Sequence, residues 1–296
     1  MKRVRLKRMK CPDPITSFEL SDLTIITTFQ LPFNSPKIHD FVVICVHKKV
    51  DHNIKGKPNS VKNMFRHPDL IIWEYVFMFF LHLATFRHFL GGEMIIFDVF
   101  GTVVDWRTSI TRQSQEFGKA NGLKADWEAF ADAWRSKYRP YMDKVRSGEL
   151  PWTNLDGLHR MALEDVLGEF EIHGLSEETK AEFNLAWHRL DGWPDSAPGL
   201  WRLKRCFILA PMSNGNVALM TNMGKYAGLP WDCILGAELA RHYKPDPESY
   251  QTAVDLLGLK PHQVMMVAAH QGDLLSAQKV GLKSAFVPRP MERGPN

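Results

Sequence analysis

Apolar residues fall in two registers along this chain. Short unbroken apolar runs stand at Met94–Phe97, 206–212, 264–269 and 284–287, bounded by Gly, Asp, Asn, Lys or Pro. Runs of that length read as strands covered on both faces. Elsewhere the spacing is helical. Trp127, Phe130, Trp134 and Tyr138 recur on one face, as do Leu158, Met161, Ala162 and Val166. The pattern predicts helices over 109–121, 216–228, 246–257 and 274–280, and a long helical block over 125–190. Breaks in that block are expected at Ser147-Gly148, Pro151, Gly168 and Gly174. Strands alternating with helices imply βαβ units and a parallel sheet. The predicted fold is therefore α/β, a doubly wound, Rossmann-like parallel sheet. Its core is assigned to 94–106 and 194–296. A helical cap over 107–193 is inserted after the first strand and turn.

Residues 1–93 do not share this pattern. Residues 1–10 carry six basic side chains and no acid, but Asp13, Glu19 and Asp22 follow, and no small-residue cleavage site follows an apolar core. A strand is expected at 41–46 and a polar loop over 48–63. The stretch 70–90 is rich in Ile, Phe and Leu, yet it contains Glu74, His82, Arg87 and His88, and its uninterrupted apolar core runs only from Tyr75 to Leu81. A spanning helix wants roughly 20 apolar residues and charge inside it is costly, so membrane contact through 70–90 is not favoured. Because Met94 opens a complete first strand, 1–93 is read as an atypical basic and apolar extension, poorly ordered or a gene-model artefact.

Charge sharpens that division. The chain of 296 residues has a formal net charge of +4, but 14 Lys/Arg against 8 Asp/Glu fall in residues 1–93, leaving the body slightly acidic. That argues against nucleic acid as a partner of the body. Cys11, Cys45, Cys206 and Cys233 show no paired short spacing, which suggests neither a disulfide framework nor a zinc site. A reducing, cytoplasmic compartment fits.

Four polar stretches fall where strands of the inferred sheet end. They are Asp98 with Gly101-Thr102, Ser213-Asn214-Gly215, Lys244-Pro245-Asp246, and His270 to Asp273. Ligands of open α/β sheets bind at the carboxyl ends of strands, and a carboxylate there can act as nucleophile, base or metal ligand. Each stretch has a plainer explanation. Asp98 suits a turn or helix cap, Ser213 and Asp273 suit caps, Lys244 a solvated lysine and His270 a loop histidine. Their occurrence together, each after a strand, favours a site.

Phe97-Asp-Val-Phe-Gly-Thr-Val-Val-Asp-Trp106, Leu209-Ala-Pro-Met-Ser-Asn-Gly215 and Tyr243-Lys-Pro-Asp246 resemble the haloacid dehalogenase superfamily, and specifically its type II 2-haloacid dehalogenase branch. The likeness covers about 94–290 and none of 1–93. It implies that Asp98 displaces halide from a short 2-haloalkanoic acid to form an aspartyl ester, which water hydrolyses. It also implies Lys244 as the cation that keeps Asp98 ionised and Arg135 as halide donor, with Asn214 its partner on the core side. Thr102 and Ser213 would hold the substrate carboxylate and steady Asp98, and Tyr250 would stand near the lysine. Asp273 would orient the hydrolytic water. A homodimer is also implied, and the partner is a small-molecule 2-haloacid.

Phosphatases of the superfamily carry a second aspartate two residues after the nucleophile. Here Phe100 stands there, which suits an apolar pocket, and the fourth stretch offers only Asp273, so neither metal nor cofactor is expected. The alternatives are a superfamily phosphohydrolase, or a member of the fold that binds a small carboxylate or a partner without turnover. The chain departs from the branch at Ala268, His270 and Gly272, where Ser, Asn and an aromatic are usual. His270 can shape the pocket or assist as a base. The branch usually continues for another strand and helix beyond 284–287.

Overall fold

The computed structural model describes residues 94–294 and, for the backbone alone, three short strands further upstream. Those strands are β1 (Leu23–Ile26), β2 (Val42–Val43) and β3 (Cys45–Lys48), and β1 pairs antiparallel with β3. The helix or span question at 70–90 lies outside the described residues. Among the described residues no helix is long and apolar enough to cross a membrane.

The main sheet is built on β4 (Met94–Phe97), with β5 (Ile208–Ser213) on one side and β7 (Val264–Ala268) on the other. β6 (Leu235–Gly236) extends it past β5, and β8 (Lys283–Phe286) past β7. β2 adds two residues beyond β8, so the order is β2-β8-β7-β4-β5-β6, all parallel. Every residue of β4 is buried, which is what the unbroken run MIIF requires. Side chains alternate between the two faces of a strand. Ile95 and Phe97, with Leu209, Met265 and Val267, join a core shared with the inserted helices. Met94 and Ile96, with Ala210, Met212, Val264 and Met266, face the opposite core.

The sheet has helices on both sides. Between β4 and β5 run α1 (Trp106–Asn121), α2 (Trp127–Ser136), α3 (Tyr138–Arg146), α4 (Leu155–Glu169), α5 (Glu177–Asn184), a 3₁₀ turn (Leu185–His188) and α6 (Ser196–Leu203). After β5 come α7 (Val217–Tyr226), α8 (Ala237–Ala240), α9 (Pro247–Leu256) and α10 (Gln271–Lys279). Tyr250 and Ala253 of α9, with Leu274 and Ala277 of α10, fill the core on the far face.

Local chemistry explains where the inserted helices start. Asp105 caps α1 by accepting the Thr108 amide, so α1 begins at Trp106, three residues ahead of the expected start. Asp126 and Asn154 cap α2 and α4 in the same way. Gly168 does not end α4, which runs on to Glu169. A helical glycine costs about 1 kcal/mol, and the burial of Val166 and Leu167 beside it outweighs that. Met161, expected on the buried face, is exposed. α6, α8 and β6 had no counterpart in the periodicity, being four to eight residues or, for β6, two. Cys233 is a free, partly buried thiol.

Registers Phe97↔Pro211 and Phe97↔Val267 bring the carboxyl ends of β4, β5 and β7 to one level. Asp98, Asn214 and His270 leave the sheet there.

Candidate active site

Asp98 is fixed by its backbone before its side chain acts. Its amide donates to the Val267 carbonyl at 2.9 Å, which carries the β4–β7 pairing one residue past the strand. A tight turn follows, with Val103 N–H on Val99 O at 2.9 Å and Gly101 in the left-handed region at φ 79°. The turn aims the Asp98 carboxylate into a cleft of about 760 Å³ between the strand ends and the helices α2 and α3.

Three donors hold that carboxylate. Lys244 Nζ donates to Oδ1 at 2.9 Å, Thr102 Oγ1 to Oδ2 at 2.8 Å, and His270 Nδ1 meets Oδ2 at 2.8 Å. The Thr102 hydroxyl accepts the Ala269 amide at 2.9 Å, which leaves its proton for Asp98. Lys244 Nζ also donates to Asp273 Oδ2 at 2.5 Å, and the Tyr250 hydroxyl donates to Asp273 Oδ1. Asn214 positions the lysine through the backbone, its Oδ1 accepting the Lys244 amide at 2.7 Å.

Electrostatics follow from these contacts. Burial pushes the Asp98 carboxyl up, but Lys244 and His270 outweigh it and hold it well below the usual carboxylate range. Burial pulls Lys244 down, and the paired Asp273 and Asp98 lift it above an ordinary lysine. His270 is likewise disfavoured by burial yet is pushed up to about 10 by Asp98 and Glu292. Burial raises Asp273 and Tyr250. Asp98 is therefore an anion between two cations.

Arg135 lies across the cleft on α2. Its guanidinium stacks over the Tyr138 ring at 4.0 Å, with Phe100 and Trp106 each at 5.4 Å. One of its terminal nitrogens, Nη1, is buried without a hydrogen-bond partner. A buried donor left unsatisfied costs free energy, so the pocket offers a place for an anion. Phe100 packs edge-on to Tyr138, His159 and Trp187.

Asp98, Phe100, Arg135, Asn214, Lys244, Tyr250, His270 and Asp273 therefore share one cleft. Ser213 and Thr102 do not line it. Ser213 is fully buried and its Oγ accepts the Gly215 amide at 3.0 Å, which stabilises the turn after β5. It does not cap α7, where Asn216 is the cap residue, and Asp273 sits inside the first turn of α10 behind His270. Among the described residues no group of three or more His, Cys, Asp or Glu side chains is arranged to hold a metal ion. Asp98 and Asp273 share the Lys244 ammonium.

Sequence reasoning missed three residues. Tyr138 stands three positions after Arg135 on the helical path, a spacing that brings side chains together and was legible. Trp106 donates its indole N–H to Glu292 at 3.3 Å, and Glu292 accepts from His270 Nε2 at 3.1 Å. Nothing in the sequence marks Glu292, which is far from every motif and reaches the cleft only through the fold.

Comparison with known proteins places the chain in a family. The family model for haloacid dehalogenase-like hydrolases matches residues 93–281. The chain is 30% identical over 197 residues to (S)-2-haloacid dehalogenase 4A of Burkholderia cepacia, covering 66% of this chain and 82% of that one. The crystal structure of the L-2-haloacid dehalogenase PA0810 superposes with a TM-score of 0.68 at 48% identity, over 70% of this chain and 88% of that one. An L-2-haloacid dehalogenase from Xanthobacter autotrophicus, solved with chloropropionic acid covalently bound, is 25% identical with a TM-score of 0.58, over 66% of this chain and 77% of that one.

Proposed function

Since this chain belongs to the haloacid dehalogenase-like hydrolases, we propose that it hydrolyses short 2-haloalkanoic acids to 2-hydroxy acids and halide, with Asp98 as the nucleophile. The observation that carries this reading is an Asp98 carboxylate held ionised by Lys244 at 2.9 Å, with Phe100 rather than an acid two residues on.

In the first step an Asp98 oxygen attacks C2 opposite the halogen. The new C–O bond forms as the carbon–halogen bond breaks, the configuration inverts, and halide leaves with the bonding pair. No proton is needed at a departing halide, so the apolar Phe100 is no handicap. Charge does grow on the halide, and donors aimed at developing charge are the strongest catalytic aid. Arg135, with its buried free donor, and Asn214 on the core side serve that purpose. Lys244 keeps Asp98 ionised, Thr102 fixes its second oxygen, and Tyr250 with Asp273 fixes Lys244.

In the second step water attacks the ester carbonyl and frees the 2-hydroxy acid. Asp98 and Asp273 share the Lys244 ammonium, and the proposed reaction uses no metal. Homodimer formation, which rests on likeness, and a cytoplasmic location, which rests on the unpaired spacing of the cysteines, belong to the same reading.

The test is chloride release from 2-chloropropionate by the full chain in EDTA, beside a phosphatase assay with Mg²⁺. Chloride release by the wild type and none by Asp98→Asn is the expected result. Phosphate release without chloride would overturn the assignment of the leaving group.

A further inference from the structure

Hydrolysis of the Asp98 ester needs a base for the attacking water, and this step rests on the dehalogenase reading above. Asp273 is poorly free for it. One of its oxygens takes the Lys244 ammonium at 2.5 Å, the other takes the Tyr250 hydroxyl, and its side chain is 9% exposed. His270 differs on each count. It lines the cleft, its side chain is 35% exposed, and it touches the nucleophile directly at 2.8 Å. Behind it stands Glu292, which meets Nε2 at 3.1 Å with both carboxylate oxygens and is itself steadied by the Trp106 indole. Gly101 makes the approach possible, because a β-carbon there would lie 2.2 Å from a Glu292 oxygen.

We infer that His270, oriented by Glu292, is the base that activates the hydrolytic water, and that alkylation of Asp98 is what converts His270 into a base. The carboxylate at Nε2 fixes one N–H there and leaves Nδ1 facing the Asp98 carboxyl group. In the resting enzyme two carboxylates flank the ring, Asp98 from the end of β4 and Glu292 from the C-terminal segment. Together they keep it protonated, pushed up to about 10. The other charged groups of the cleft nearby are Lys244 from the segment before α9, Asp273 from the ring's own helix α10, Arg135 from α2, and Arg293 next to Glu292 in the C-terminal segment.

Ester formation cancels the Asp98 charge. One of the two anions is lost, and the exposed ring releases its proton to solvent. Nδ1 then takes a proton from water as the water oxygen bonds to the Asp98 carbonyl carbon. The ester C–O bond breaks, and the departing alkoxide takes the remaining water hydrogen. Asp98 is again a carboxylate and His270 again an imidazolium. One proton and one halide have left per turnover, and only water and the haloacid are consumed.

The experiment is rapid-quench kinetics with 2-chloropropionate, with intact-protein mass measured at each time. It compares wild type, His270→Asn and Glu292→Gln, the last nearly isosteric so that folding is preserved. Both variants should give a chloride burst of about one per active site and accumulate the substrate adduct on Asp98. Steady-state turnover of His270→Asn should fall about 10²- to 10⁴-fold, the usual contribution of a general base. In Glu292→Gln the acid limb of kcat should move to lower pH, because the anion that raises His270 is gone. Wild-type turnover in both variants, or loss of the burst from folded protein, would overturn the assignment. Absence of chloride from the wild type would instead sink the dehalogenase reading, and this inference with it.

Discussion

The residue that sets the electrostatics of the cleft is Asp98, and His270 is the partner whose charge can be read out. His270 is lifted from 6.5 to about 10 in the folded chain. A group whose pKa is raised by folding stabilises the fold fully below its unfolded value, and that stabilisation is lost as pH rises through the folded value. The stability difference between wild type and His270→Asn in urea should thus be full near pH 6 and shrink steadily toward pH 10. A difference that stayed constant across that range would mean that the resting ring is neutral. Asp98 and Lys244 were legible in the sequence because each follows a recognisable apolar run or precedes a Pro turn. The Asp98–His270 contact was not legible, since it joins positions 172 residues apart.

At the scale of elements, the short strand β6 supports the loop that carries Asn214. Ser213 pairs with Gly236, and Gly236 has φ 154°. A β-carbon at 236 would lie 2.3 Å from the Ser213 carbonyl oxygen. Gly236→Ala should therefore push β6 away from β5 and cost roughly 1–3 kcal/mol of backbone strain alone. It should also raise KM by disturbing Asn214 and the Lys244 amide that Asn214 holds. A urea midpoint equal to wild type would show that the strand shifts without penalty. Periodicity found the long elements because burying one face is a property of the pattern. It missed β6, α6 and α8 because two to eight residues carry too little pattern, and it misplaced the start of α1 because a cap side chain decided it.

At the scale of the molecule, the segment after β8 folds back over the cleft and is pinned by Arg289. Its Nε donates to the Thr102 carbonyl at 2.9 Å, Nη1 to Asp195 at 2.9 Å, and the guanidinium stacks on Trp193 at 5.4 Å. Both partners of the Arg289–Asp195 pair are buried. Removing one partner of a buried pair typically costs about 3–5 kcal/mol. Arg289→Ala should show that loss in thermal or urea unfolding. It should also release Glu292 and reproduce the adduct accumulation expected of Glu292→Gln. Loss of stability with unchanged ester hydrolysis would separate the anchor from the chemistry.

Arg135 was expected only from the family resemblance, but the sequence by itself determined the parallel α/β sheet, the helical block inserted after its first strand, and the meeting of Asp98, Lys244 and Asp273 at the strand ends. Those follow from local rules, since burial sets periodicity and strand ends set where ligands bind. It also determined, through Phe100, that no acid stands two residues after the nucleophile. Only the tertiary structure decided that Ser213 serves its turn rather than the cleft, and that Asp273 spends both oxygens on Lys244 and Tyr250. The same holds for the joining of His270 to Glu292. Hydrogen-bond partners are chosen by distance in space, and a carboxylate 22 residues from its histidine leaves no periodic trace in the chain.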